Sequence, residues 1–328
     1  MHAGTHYKVS EFLYWTRREI YVLMLLAAVP TLLYQTFDLH WLAIPWVPIA
    51  LIGTATAFII GFKNTQTYNR LWEARQIWGA IVNASRAWGI MVKDFVQADI
   101  DVHQQLIYRH CAWLTALRHQ LRKPQTWENS TKLHNVEYRR LYTVPEWATT
   151  LEEELKNYLP AEELQYILAK KNRATQLISL QSKQLTALKR AGCINPLEYV
   201  EMEKRLADLY DQQGKCERIK NFPYPRQFAS ITLFFVWLFV GMLPFGMLNE
   251  FQKLGEHFTW LTIPFSVIVS WVFVAMDKVS EATENPFEGG ANDIPMAALS
   301  RAIEIDLRDM LDEQAIPAPL TPVNNILL

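Results

Sequence analysis

Apolar and polar residues come in blocks along this chain rather than evenly mixed. Four stretches carry no charged side chain: Ile20 to Phe37, Trp41 to Phe62, Gln227 to Asn249, and Phe258 to Met276. At ~1.5 Å per helical residue, each is long enough to cross a hydrocarbon layer ~30 Å thick. They form two close pairs, joined by Asp38-Leu39-His40 and by Glu250 to His257. That pattern predicts two transmembrane hairpins. Four such segments with aromatic ends are hard to bury inside one soluble domain. Pro30, Pro45, Pro48, Pro244 and Pro264 fall in or at the edge of these blocks. Proline frees carbonyls that need partners, so the spans are expected to pack on one another. The second span also holds Gly53, Thr54, Thr56 and Gly61. Such small and hydroxyl residues suit either close helix packing or a water-lined wall.

The polar block from Asn64 to Pro225 has helical periodicity and little strand-like alternation. Leu71, Trp72, Ile77, Trp78 and Ile81 continue the second span as a helix beyond the apolar stretch. Leu106, Trp113 and Leu117 mark another helix, ending near Pro124. Pro145-Glu146 opens a third with Thr143 as its cap, and Ala161 to Lys189 reads as one long helix. Asn195-Pro196 has the cap-then-proline form of a helix start, running to about Ile219. Asn129 to Lys132 reads as a loop. An amphipathic run ends at Glu313, and the proline-rich Ala315 to Leu328 is expected to be either a disordered tail or an extended strap over a neighbour.

Lysine and arginine orient the spans. Lys8, Arg17 and Arg18 precede the first, Lys63, Arg70 and Arg75 follow the second, Arg218, Lys220 and Arg226 precede the third, and Lys278 follows the fourth, whereas the hairpin tips hold only Lys253. The positive-inside tendency puts both termini and the polar middle of this multi-pass chain in the cytoplasm. No cleavable signal is expected, because the N-terminus lacks a small-residue cleavage site. The formal net charge of −1 over 328 residues is not the footprint of a nucleic-acid binder. Cys111, Cys193 and Cys216 are too scattered for a disulfide scaffold or a cysteine zinc site.

Motifs for catalysis are missing. There is no HExxH, Walker loop, GxGxxG after a strand, or GxSxG, so no enzyme activity, catalytic residue or cofactor is expected. Asp208, Asp211, Glu201 and Glu203 share a Lys- and Arg-rich helix and read as a solvated face. Gly289-Gly290 reads as a turn rather than a phosphate cradle. One constellation stands out: Thr54, Phe58 and Phe62, four apart on the second span, share a broad helix face. It is either an aromatic stripe against lipid or a neighbouring helix, or a pore constriction that gates by dewetting.

Gly61-Phe62-Lys63-Asn64, Tyr68-Asn69-Arg70-Leu71-Trp72-Glu73-Ala74-Arg75 and Trp78-Gly79 resemble the start of a bacterial bestrophin. Leu117-Arg118-His119-Gln120-Leu121, Cys216-Glu217-Arg218-Ile219, Glu284-Asn285-Pro286-Phe287 and Asn292-Asp293-Ile294-Pro295 extend the resemblance, in order, over residues 10 to 313. It implies a pentameric ion channel with the second span lining a central pore. The neck positions then fall on Thr54, Phe58 and Phe62, with Thr54 departing from the usual bulky aliphatic. A second restriction at the cytosolic exit falls within Arg190 to Pro196, on Ile194 or, one residue away, Cys193. Animal members bind calcium with acids after the Asn-Pro-Phe motif. Here only Glu288 and Asp293 are acidic, too few for a cation that takes six or more oxygens, so no metal site is expected.

The expected fold is therefore all-α and integral to the membrane: four transmembrane helices per subunit and a large helical cytosolic region, in a homopentamer around a central pore. Residues 1–19 form an N-terminal cytosolic segment and 20–64 the first hairpin. Residues 65–226 form the helical cytosolic region, 227–276 the second hairpin, and 277–328 the C-terminal segment and tail. The expected function is passive flow of small monovalent ions. The resemblance favours chloride and other anions; a cation-permeable channel of the same fold, or a membrane-anchored scaffold without conduction, are the alternatives. The expected partners are copies of the chain, the lipid bilayer and the permeating ions.

Overall fold

Each uncharged block lies largely within a helix that runs past it. A computed structural model describing residues 1–328 contains, in chain order, α1 (Val9–Thr36), α2 (Trp46–Phe95), α3 (Ile100–Arg122), α4 (Leu133–Tyr138), α5 (Pro145–Ala148), α6 (Leu151–Leu155), α7 (Ala161–Leu168), α8 (Arg173–Arg190), α9 (Pro196–Asn221), α10 (Arg226–Gln252), α11 (Thr262–Glu281) and α12 (Met296–Asp309). The four candidate spans are α1, the first part of α2, α10 and α11, the second and fourth extended by short 3-10 turns. The chain divides into two compact units, one of Gly4–Arg70 and Pro223–Glu284, the other of Met1–Ala3, Leu71–Phe222 and Asn285–Leu328.

The first unit is apolar. α1, α10 and α11 pack on one another, and α2 joins them along a seam of buried residues, Ile49, Gly53, Thr56, Ile60, Lys63 and Thr67. These alternate at spacings of four and three, which keeps one stripe of a helix against its neighbours. Gly53 is in the seam because α10 comes so close: a Cβ there would lie 2.6 Å from the Phe239 ring. Three buried threonine hydroxyls bond inside their own helices: Thr16 donates to the Phe12 carbonyl at 2.9 Å, Thr31 to Ala27 at 2.8 Å and Thr56 to Ile52 at 2.7 Å. Lys63 is the one charged seam residue, and its Nζ donates to Asp277 Oδ1 of α11 at 2.7 Å, both side chains buried. The next residue, Asn64, donates to the Met276 carbonyl at 3.2 Å. Lys278 pairs with Glu19 of α1 at 2.8 Å.

The second unit is built around α3, which is buried along most of its length. Its own Trp113 is fully buried, as are Trp78 and Trp88 of α2, and α8, α9 and α12 pack against it. Three buried arginines of α3 each reach an acid on a different segment. Arg109 makes a two-pronged contact with Glu163 of α7 at 2.5 and 3.0 Å. Arg118 bonds Glu146 of α5 at 2.9 Å and Glu154 of α6. Arg122 donates to Asp293 at 3.0 Å, to the Ile294 carbonyl at 3.1 Å and to Glu146 at 3.3 Å. His110, also on α3, meets Ser85 Oγ at 2.8 Å between the rings of Trp88 and Trp113.

Three sequence readings change here. Ala161 to Lys189 is not one helix: it breaks after α7, and Asn172 caps α8 by accepting from the Thr175 amide at 3.0 Å. The helix at Pro145 is only four residues long, and its cap position is Val144 rather than Thr143. Ala315 to Leu328 is extended rather than a disordered tail, and the contacts it makes are with its own chain. Arg308 and Arg301 donate to the Ala315 and Ala318 carbonyls at 2.7 and 3.2 Å, and Ile326 and Leu328 are buried with Tyr142 and Val144.

Two expectations follow from the buried ionisable groups. Lys63→Met leaves Asp277 unpaired, and Asp277→Leu leaves Lys63 unpaired. Each should cost about 3–5 kcal/mol, while the double variant should recover most of the loss. Melting of the detergent-solubilised protein checks this, and a double variant no more stable than the singles would contradict charge compensation. His110, desolvated by burial, has a pKa lowered to about 3, against ~6.5 in an unfolded chain. The unfolded state therefore takes up the proton first as pH drops. The stability this histidine contributes is fully present above about pH 6.5 and is lost toward pH 3, at up to ~1.4 kcal/mol per pH unit. The fall in Tm between pH 6.5 and 4.5 should be shallower in His110→Gln than in the native chain; equal slopes would show that folded His110 accepts the proton.

Candidate functional site

The α2 seam leaves an opposite face uncovered by the rest of the chain, and Thr54, Phe58 and Phe62 stand on it. Phe58 is 78 % and Phe62 50 % exposed, and Thr54 is exposed as well. At ~100° per residue, these three positions lie between about 100° and 180° around the helix from Lys63. The small residues of this span lie in two different surroundings. Gly53 lets α10 approach, while Gly61 has nothing within 4 Å of where a Cβ would stand. The Thr54 hydroxyl donates to the Ala50 carbonyl at 2.9 Å, so this face keeps no unsatisfied donor there. The face carries aromatic edges, small residues and hydroxyls, and no charge from Leu51 to Phe62.

The segment between α8 and α9 is a tight reversal. α8 ends at Arg190, Gly192 takes a left-handed φ of +79°, and the amides of Gly192 and Cys193 return to the Lys189 and Leu188 carbonyls at 3.1 and 2.9 Å. Glycine suits that conformation because it has no Cβ. The Cys193 carbonyl accepts from the Gln97 amide at 2.8 Å. Asn195 then caps α9, accepting from the Leu197 and Glu198 amides at 3.0 Å each, while Glu198 bonds back to the Asn195 amide. This reversal turns Ile194 into the core of its own chain, where it is 3 % exposed, and leaves Cys193 half-buried. The exposed apolar side chain is Leu197, 81 % accessible on the first turn of α9. Sequence reasoning missed it, yet the signal was present. The buried residues of α9 include Met202, Leu206, Leu209, Gln213 and Cys216, a seam that extends back to 199 and passes Leu197 by.

The acidic loop after Asn285-Pro286-Phe287 is closed by the chain's own donors. Glu288 accepts from the Asn129 amide at 2.9 Å and from Asn285 Nδ2 at 3.2 Å. Asp293 accepts from the Gly289 amide at 2.7 Å and from Arg122 at 3.0 Å. Gly289-Gly290 form the turn between these acids, with Gly289 at φ +88°. On α9, Glu201 and Asp208 pair on the surface with Lys204 and Arg205, and Asp211 with Lys215.

Comparison with known proteins converges on one family. The family described as Bacterial/Fungal Bestrophin protein matches residues 11–309. A relative from Escherichia coli K12, named voltage-dependent anion channel-forming protein YneE, is 31 % identical over 280 residues, covering 84 % of this chain and 80 % of its own. A protein of Ralstonia nicotianae, also named a voltage-dependent anion channel-forming protein, is 27 % identical over 295 residues, covering 87 % and 85 %. The crystal structure of a bacterial bestrophin homologue from Klebsiella pneumoniae superposes with a TM-score of 0.77 at 26 % identity, covering 91 % of this chain and 99 % of its own. With the expected motifs, four membrane-length helices and this likeness along nearly its whole length, the chain belongs to the bacterial and fungal bestrophin family.

Proposed function

We propose that the protein is a homopentameric channel of the inner membrane that passes small monovalent anions, chloride among them, by passive flow along an axis lined by the first half of α2. The observation that carries this reading is the uncharged face of Thr54, Phe58 and Phe62, which the chain's own helices leave uncovered. A single subunit with four spans has too little wall to enclose a pore, whereas copies of this face around an axis form one. The relatives named as anion channel-forming proteins support the choice of ion. Phe58 and Phe62 would form a narrow hydrophobic neck that resists a hydrated ion, with Thr54 at its less apolar end. At the exit, burial of Ile194 in its own subunit favours Cys193 of the two expected residues, and the exposure of Leu197 adds it as the apolar lip. The lysine and arginine distribution supports both termini and the polar unit on the cytoplasmic side.

Reconstitution in liposomes under a salt gradient tests this directly. The reversal potential should lie toward the chloride equilibrium potential; a potential on the cation side would reverse the selectivity, and absence of flux would remove the channel. Protein mass in detergent should correspond to five subunits, and a conducting monomer or dimer would refute a shared central pore. Phe58→Ala and Phe62→Ala should each raise flux and admit larger ions, with Thr54→Ala having a smaller effect. Reduced flux with a destabilised oligomer would instead place the rings between helices, where truncation leaves cavities costing about 3–5 kcal/mol.

A further inference from the structure

The uncovered face of α2 does not end at the phenylalanines. Beyond Phe62 the chain leaves Thr65, Gln66 and Asn69 exposed, while Lys63 and Thr67 turn into the seam. At ~100° per residue, Thr65 and Asn69 lie within about 20° of the Phe58 direction, and Gln66 lies about 80° to one side. Asn69 thus continues the line of the rings, ~10 Å further along the helix than Phe62. It also stands exposed inside a 50-residue helix. Asparagine is a weaker helix former than alanine, leucine or glutamine, because its side chain competes for backbone bonds. Helix stability therefore does not account for an asparagine at this position.

The polar groups on this line differ in what they can offer an ion. Thr54 donates to the Ala50 carbonyl at 2.9 Å and Thr65 to the Gly61 carbonyl at 3.0 Å, so each hydroxyl keeps only lone pairs. No hydrogen bond within the chain engages the Asn69 carboxamide, which leaves it two N–H donors and a carbonyl oxygen. The charges on either side of it along α2 are committed. Lys63 is held in the seam by Asp277 at 2.7 Å, and Glu73, about 60° from the Phe58 direction, pairs with Arg218. We infer that Asn69 is a selectivity-determining residue of the proposed pore, a ring of carboxamides at the inner mouth of the neck whose N–H groups receive the monovalent anion. This rests on the reading of α2 as the wall of an anion pore. An anion that passes the rings has given up water and needs donors in its place. Asn69 carries the first free donors on the line, and Thr65, with its proton already given, cannot supply one. Because a carboxamide has no net charge, the ring favours the anion without holding it, as conduction requires.

Flux and reversal potentials of the full chain in liposomes, compared with three variants, test this. Asn69→Leu removes every donor at similar volume. Chloride flux should fall severalfold, and with chloride on one side and thiocyanate on the other the relative permeability of chloride should drop, because the more strongly hydrated anion gains most from the donors. Asn69→Asp keeps the shape but turns donors into acceptors and adds negative charge. Its reversal potential in a salt gradient should cross to the cation side. Asn69→Gln keeps the donors and should keep the anion preference. The side chain is exposed and unbonded, so oligomer mass and Tm should stay native in all three. If Asn69→Leu fails to assemble, Asn69→Asp against Asn69→Gln decides. Wild-type reversal potentials in Asn69→Leu and Asn69→Asp would overturn the inference and leave the anion channel standing. A stronger anion preference in Asn69→Leu would show that the carboxamide offers its oxygen, and would overturn it too. A native chain that passes no anions would remove the pore reading and this inference together.

Discussion

The pair between Lys63 and Asp277 settles which way α2 faces in the apolar unit. A lysine in an otherwise apolar seam cannot stay unpaired, because the cost of desolvating its charge exceeds what neighbouring methyl groups return. Asp277 of α11 meets it at 2.7 Å, and the neighbouring Asn64 reaches the same helix through the Met276 carbonyl. With these contacts made, rotation of α2 about its axis is fixed. Gly53 then meets Phe239, Ile60 packs with Val236 and Val240, and Thr54, Phe58 and Phe62 are carried to the uncovered side. The pair thus lies beside the proposed pore face rather than on it, yet any rotation that exposed Phe58 differently would have to break a buried ion pair.

The polar unit follows a related rule with arginine in place of lysine. Arg109, Arg118 and Arg122 project from one central helix, and each pairs with an acid carried by another segment. α5 and α6 have four and five residues, too few for a helix to persist alone in water. They are held by Glu146 and Glu154 on Arg118, and α6 also by a capping box between Thr150 and Glu153. Likewise, the loop after Phe287 takes its shape from the Asp293 carboxylate between Arg122 and the Gly289 amide.

These mechanisms explain what could be read in advance. The four spans were legible because an apolar medium imposes long uncharged helices, and α9 because Asn195-Pro196 is a local capping signal. The break between α7 and α8 was not, because the apolar periodicity continues on both sides and only the Asn172 side chain marks the new start. The resemblance pointed to residues 190–196 for the expected exit restriction, but the Gly192 reversal decides which side chain turns inward, and a shift of one residue exchanges buried Ile194 for half-buried Cys193. The strap was open between two states because proline excludes a helix without choosing between order and disorder. Its order comes from Arg301 and Arg308, residues of a different element.

In the proposed pore, selectivity has few sources. The face from Leu51 to Phe62 carries no charge, so no Coulombic filter exists at the neck. Thr54 gives its proton to Ala50, and what its oxygen can still offer an ion is lone pairs, which suit a cation better than an anion. Anion preference at this level must then come from Phe58 and Phe62, and only if their positive ring edges rather than their negative faces meet the axis. An edge interaction is weak beside the cost of stripping water from an ion. Such a neck would order monovalent ions mainly by how readily they shed water, favouring large, weakly hydrated anions over compact ones until they no longer fit between the rings.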